Sequence, residues 1–371
     1  EKLRQAGKAF IPAPNQYLEG FAKVNRDMVA FVQSRNLQKV ATLDMDAVLV
    51  ETNKAEALYS YKHFKSYQPL NVWWAEQGMM VYTEFRDGNV PAGYQQVRVF
   101  EEALAQLPVG VEKVRLRVDT AGYEHALLRY CEGGKNERFG KIEFAIGCDV
   151  TPEFKKAVAE VAEEEWKPIR KEISGMLMNT GQEWAEVCYV PNAIAGKKQG
   201  LEYRYLAIRE ALPQPALPGM EKQLELPFPT MMIGRYPYKL FGTVTNMDWD
   251  GEELIHWQRG RCGKSEEAHS VMKEDLAGGK LPSGKFGVNA AWWWIMVLSL
   301  NLNQAMKQLV LGQSWRARRL KSIRFALINL PGRVMERARP LFIRLGKNHP
   351  SFDWLVEIRA RIANLASAPS G

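Results

Sequence analysis

The order of β-like and helical runs in the first half of the chain constrains its fold most. Residues 38–43 form an apolar-rich run ending in Asp44-Met45-Asp46, which reads as a strand delivering carboxylates at its end. Two more β-rich runs, 71–74 and 79–85, lead to the turn signal Asp87-Gly88-Asn89, the pattern of an antiparallel meander. A helical run (97–107), a strand (114–118) ending at Asp119, a second helix (123–131) and a strand (141–146) follow. Thr151-Pro152-Glu153 then starts a helix, with a capping hydroxyl, a proline in the first turn and an acid at the positive dipole end. Three strands and then alternating helix and strand predict an α/β fold of the ribonuclease-H-like kind, a mixed sheet flanked by helices.

Past residue 171 the texture becomes β-like, with runs at 184–190, 202–209 and 239–245 around a proline-rich stretch, 213–229. After Asp250 it turns helical again, and 288–311 reads as a long core helix. The expected division is an N-terminal helical segment (1–37), a first part of the core (38–170), a β-rich insertion (171–245), a second part of the core (246–312) and a basic helical tail (313–371). The 46% hydrophobic content excludes a disordered or fibrous chain. The net charge of +8 favours an acidic partner such as nucleic acid. Much of that charge is in the tail: residues 315–350 hold ten Lys or Arg, among them Arg316, Arg318, Arg319 and Lys321, against the single acid Glu336. Phosphate contact and a plain solvated face are both open readings of that run.

Cys131, Cys148, Cys188 and Cys262 form no CxxC pair, which fits a reducing cytoplasm and points to neither a zinc site nor a disulfide framework. The one strongly apolar stretch, about 290–300, is too short to span a membrane. The N-terminus lacks a secretory pattern, and a start at Glu1 rather than Met leads us to expect residues before it.

Two constellations are decoys. Asp44-Met45-Asp46 resembles the first motif of haloacid-dehalogenase-type phosphatases, with Asp44 as nucleophile, but Ala47 stands where that family has Gly and no later metal motif follows. Gly279-Lys280-Leu281-Pro282-Ser283-Gly284-Lys285 has the letters of a phosphate-binding loop but is followed by Phe286 rather than Ser or Thr. Of the five histidines, His63, His125, His256, His269 and His349, none is spaced for zinc, and they read as ordinary polar residues. A third constellation has more chemistry. Asp44 or Asp46 closes one strand, Asp119 closes another, and Glu266 opens a late helix. Converging at one sheet edge, three such acids could hold two Mg²⁺ ions for phosphodiester cleavage.

On these residues the chain resembles the DDE transposases of bacterial insertion sequences, in the cut-and-paste branch with a β-strand insertion before the last acid. The motifs are Leu43-Asp44-Met45-Asp46, Phe64 to Leu70, Arg86-Asp87-Gly88-Asn89, Arg117-Val118-Asp119-Thr120-Ala121-Gly122-Tyr123, Val244-Thr245-Asn246, and Glu266 with Lys273. The resemblance implies catalytic and metal-binding roles for Asp46, Asp119 and Glu266, with Asp44 the alternative first acid. It implies two Mg²⁺ ions, with Mn²⁺ as substitute. Lys273 matches the lysine of the family's Tyr-x2-Arg-x3-Glu-x6-Lys signature, whereas Arg259 stands at the tyrosine position and Cys262 at the arginine position, with Arg261 one residue early. Arg259, Arg261 and Lys273 are therefore the candidate DNA contacts near the acids. The implied activity is cleavage at transposable-element ends and strand transfer into target DNA, by a homodimer on paired ends, on the bacterial nucleoid. The rivals are a phosphatase using Asp44 and a catalytically degenerate DNA-binding protein.

Overall fold

The computed structural model describes residues 2–4, 10–191, 203–212, 228–233, 236–261, 264–336, 341–346, 349 and 351–367. Cys262 and most of the proline-rich stretch lie outside these residues.

The chain opens with a strand pair, β1 (Lys2–Arg4) and β2 (Phe10–Pro12), and helix α1 (Gln16–Gln33). Asn15 fixes the start of α1 by accepting the N–H groups of Tyr17 and Leu18, two of the donors a helix start leaves bare. β3 (Val40–Ala47) follows, then a small sheet of β4 (Val50–Glu51), β5 (Leu58–Tyr59) and β6 (Lys65–Tyr67), then β7 (Leu70–Trp74) and β8 (Met79–Glu84). Helix α2 (Gln96–Gln106) leads to β9 (Lys113–Val118), and α3 (His125–Glu132) to β10 (Glu143–Cys148). Helix α4 (Pro152–Ala159) is capped by Thr151, as its sequence predicts.

In space these strands run β8-β7-β3-β9-β10. β3, β7 and β8 are antiparallel, while β9 and β10 are parallel to β3 and reached through helices. Three meander strands with two parallel strands added on the far side of the first is the ribonuclease-H-like order. Alternation divides β3: Ala41, Leu43 and Met45 enter the core beneath α2 and α3, and Thr42, Asp44 and Asp46 take the other face. β9 divides the same way, with Val114, Leu116 and Val118 inward and Arg115, Arg117 and Asp119 opposite.

The β-rich region does not make a sheet of its own. β11 (Lys167–Ile173), β12 (Met176–Val187), β13 (Arg204–Ala211), β14 (Thr230–Ile233) and β15 (Tyr236–Thr245) continue the main sheet, because β15 pairs antiparallel with β10. The Val244-Thr245-Asn246 motif forms this seam. Thr245 Oγ1 donates to the Phe144 carbonyl at 2.6 Å, and Asn246 Oδ1 accepts the Phe144 N–H at 2.9 Å.

On the acid-bearing face pack α5 (Gly251–Arg259), α6 (Lys264–Ser270), a π-helical turn (Val271–Asp275) and α7 (Phe286–Met306), which a second π turn (Lys307–Leu311) prolongs. They build two apolar clusters, one around Trp73, Met272 and Trp293 and the other around Trp184, Leu206 and Leu254. α7 also secures the edge strand β8, where Val81 is the extra residue of a bulge. Asn25 of α1 donates to the Met80 and Val81 carbonyls at 3.0 Å each, and Asn301 of α7 accepts the Met80 N–H at 2.8 Å. These two buried amides satisfy edge backbone groups.

The tail contains α8 (Gln313–Arg316), α9 (Leu320–Ile323), β16 (Gly332–Glu336), β17 (Leu341–Leu345) and α10 (Phe352–Ser367). The sequence pattern predicts a helical tail, and the described residues are only partly so. β16 and β17 pair instead, with Val334 opposite Ile343, a cross-strand match of β-branched side chains.

Candidate active site

The acids lie at the C-terminal ends of two neighbouring parallel strands. β3 and β9 are paired through Asp44↔Arg117 and Met45↔Val118, and Asp46 and Asp119 each follow the last of these pairs by one residue. Adjacent strands are about 4.8 Å apart, a spacing at which two carboxylates on one face repel unless a cation lies between them.

Two residues further into the sheet, on the same face, a carboxylate stands opposite a cation instead. Asp44 is buried and held by Arg117 through two hydrogen bonds, Nε to Oδ1 at 2.6 Å and Nη2 to Oδ2 at 2.8 Å. Burial raises the Asp44 pKa, although the Arg117 guanidinium pulls it down. Arg117 also donates from Nη1 to the Trp257 carbonyl at 2.7 Å and lies over the Trp257 ring. The pair thereby ties α5 to the sheet directly beneath the outer acids. A nucleophilic role for Asp44, as in the phosphatase reading, has no support in this geometry.

Asp46 is partly exposed. Its Oδ2 lies 3.5 Å from Arg261 Nη1 and 3.8 Å from His269 Nδ1. Asp119 is partly buried and caps the 3-10 turn Thr120–Gly122, its Oδ1 accepting the Ala121 N–H at 3.0 Å. That turn is pressed against β10 at Gly147, where a Cβ would come within 2.9 Å of the Thr120 N. Only glycine lets Asp119 sit so close to the sheet.

Asp119 also opens onto a cavity of about 560 Å³ between the core and the added strands, lined by Gly147, Gln182, Phe241, Gln258 and Arg259. Arg259 thus stands on the Asp119 side of the site, and Arg261 on the Asp46 side. Glu266 is in α6 one turn before His269, so its backbone is on the helix that meets Asp46; its side chain lies outside the described residues. Lys273 is one turn beyond His269, and its charge joins burial and Arg261 in lowering the His269 pKa to about 4.

Among the described side chains no three of His, Cys, Asp or Glu converge closely enough to hold a metal ion, and that of Glu266 is outside this set. Of the basic run, Arg316 and Arg318 are exposed, with Arg318 stacked on Trp315. Arg319 and Lys321 are ion-paired to Asp275, at 3.2 and 3.8 Å. The Gly279 to Lys285 stretch is a loop before α7, its Ser283 backbone bonded to Asn289. The Arg86-Asp87-Gly88-Asn89 motif is structural in part, since Asp87 Oδ1 accepts the N–H groups of Leu58 and Gly88.

His269 is the site residue that the sequence reading missed. Its signal was available: it stands three residues after Glu266 and four before Lys273, on the same helical face.

Residues 11–367 match the family model described as transposase DDE domain, group 1. No curated protein matches the sequence. Among solved structures, one similar chain is that of the piggyBac transposase synaptic complex with hairpin DNA, at 10% identity and a TM-score of 0.40. The alignment covers 98% of this chain and 63% of that one.

Proposed function

Because this chain belongs to the transposase DDE domain family, we propose that it cuts DNA at the ends of a transposable element and joins them to a target. The observation that carries the reading is the juxtaposition of Asp46 and Asp119 at adjacent strand ends, beneath the helix that bears Glu266. Asp46, Asp119 and Glu266 are the catalytic acids, and Asp44 belongs to the support beneath them.

A donor set made only of carboxylates suits a hard divalent cation, Mg²⁺ or Mn²⁺, and we assign two such ions to the three acids. Ions held there supply Lewis acidity toward the scissile phosphate. The protein's own groups do the rest. Arg261 and Lys273 give the mouth of the site a positive potential that draws in the DNA backbone. Arg259 lines the cavity on the Asp119 side, where it can meet a phosphate. The Asp44–Arg117 pair keeps the floor neutral, so that the outer acids are not pushed apart by a third uncompensated carboxylate.

The added strands fit an insertion within a core of 38–170 and 246–312, and action as a dimer on paired ends follows from the family reading. The experiment is incubation of the protein with Mg²⁺ and supercoiled plasmid carrying the candidate element ends. We expect end-specific cuts, abolished in Asp119→Asn with DNA binding retained. Cleavage that persists in Asp119→Asn removes that residue from the site. A covalent phosphoryl adduct on Asp44 with small phosphate esters would favour a phosphatase instead.

A further inference from the structure

A chain of buried side chains ends at Asp46, and its hydrogen-bond polarity is set from its far end. Trp293 has only an N–H to offer; it donates to Thr83 Oγ1 at 3.0 Å and lies 3.4 Å from Asn71 Oδ1, which marks that Asn71 atom as the acceptor. The Thr83 hydroxyl donates in turn to Asn71 Oδ1 at 2.6 Å. Asn71 therefore presents its amide nitrogen, which can only donate, to His269 Nε2 at 3.1 Å. With Nε2 accepting, the single proton of the neutral imidazole is on Nδ1. That nitrogen faces Asp46 Oδ2 at 3.8 Å. All four side chains of the chain are buried, His269 the most exposed at 6%.

We propose that His269 is a positioning residue whose Nδ1–H, set by the Trp293–Thr83–Asn71 chain, orients the Asp46 carboxylate for a divalent cation and couples it to the helix bearing Glu266. The inference rests on the transposase reading above. At 3.8 Å the two atoms are beyond hydrogen-bond length, and a closure of under about 1 Å makes the bond. A neutral imidazole directs a carboxylate without placing another positive charge against the metal ion. Groups one step behind a ligand commonly work this way, and their loss costs about 10–100-fold in metal affinity.

Two measurements test this without DNA cleavage. In long-range ¹H–¹⁵N spectra of the metal-free protein, His269 should show Nδ1 protonated and Nε2 bare. Asn71→Asp, which offers Nε2 only acceptors, should move the proton to Nε2. Calorimetry with Mn²⁺ alone then compares two substitutions at 269. His269→Asn sets an amide N–H near the Nδ1 position and should bind within about threefold of wild type, whereas His269→Gln, which reaches toward Asn71, should lose about 10–100-fold. Mn²⁺ binding by a wild-type protein that carries the proton on Nε2, or equal affinity in the Asn and Gln variants, overturns this proposal alone. A wild-type protein that binds no Mn²⁺ overturns the metal-site reading and this proposal with it. Should both variants unfold, the wild-type spectrum still decides.

Discussion

Arg117→Met should destabilise the protein more than any single loss at the site's rim. It leaves the Asp44 carboxylate in the sheet without its two guanidinium hydrogen bonds. An uncompensated buried charge of this kind costs about 3–5 kcal/mol, a large share of the roughly 5–15 kcal/mol that holds a typical protein folded. Removing both charges is different. Asp44→Leu with Arg117→Met restores an apolar contact between β3 and β9 and leaves one Trp257 carbonyl bond unmade, worth about 1 kcal/mol. The double variant should therefore be more stable than the single one by about 2–4 kcal/mol. The pH dependence has a definite sign. Burial already raises the Asp44 pKa above its ordinary value of 3.8, and without Arg117 it must rise further. The folded state then binds the proton more tightly than the unfolded state. The stability deficit of Arg117→Met therefore shrinks as pH falls through the raised folded pKa toward 3.8, and is fully expressed above that window. Urea unfolding at several pH values measures it. A single variant within about 1 kcal/mol of wild type, or a double variant no better than the single, would refute the reasoning. The double variant should also keep metal-dependent end cleavage, and its loss would point to Asp44 as the first acid.

Glu266→Gln should end cleavage, whereas Glu267→Gln should retain most of it, because Glu266 shares a helical face with His269 and Lys273. Equal activity of the two in the plasmid assay defeats that assignment. Neutralising the exposed Arg316 and Arg318 should lower the log–log salt slope of DNA binding by about 0.9 for each phosphate the protein no longer neutralises. Arg319→Ala should instead lower stability, since it leaves the buried Asp275 only the longer contact to Lys321, and an unchanged melting temperature would show that the Arg319 ion pair is idle. His269 contributes its own pH dependence in the metal-free protein. Its folded pKa of about 4 lies below the ordinary 6.5, so stability held above 6.5 falls as pH drops toward 4, by about 3 kcal/mol in total. His269→Asn should flatten that part of the profile, and parallel profiles for the two proteins would exclude it.

The strands of the core were legible because their apolar residues alternate: β3 ends one residue past Asp46 and β9 one residue short of Asp119, close to where the sequence pattern ends them. The different surroundings of Asp44 and Asp46 were not legible. Residues two apart on a strand share a face, and what separates them is a partner 73 residues away, Arg117, whose register only the folded sheet reveals. The same limit applies to Arg319 and Lys321. By composition they belong to a basic run, yet they fold back onto Asp275. The continuity of the added strands with the main sheet escaped notice because Thr245 and Phe144, which form the seam, are 101 residues apart. The β16–β17 pair was hidden for another reason, since dense Arg in that stretch drew attention to charge and away from the alternation around Val334 and Ile343.

An open sheet of this size carries a hazard that a barrel avoids, because each end offers a template on which another chain's strand can grow. The two ends here forestall that growth by opposite means. At β8 the outward backbone groups of Met80 are taken by Asn25 and Asn301, so an incoming strand would have to evict two buried amides before it could bond. At β11 no described strand pairs with the outer margin, and deterrence lies in its composition. Lys167, Arg170, Lys171 and Glu172 crowd the margin with charge, Pro168 withholds a donor, and the register breaks between Pro168 and Arg170. A protein whose proposed work brings two copies together on paired DNA ends thereby has both of these margins guarded against strand-to-strand fusion.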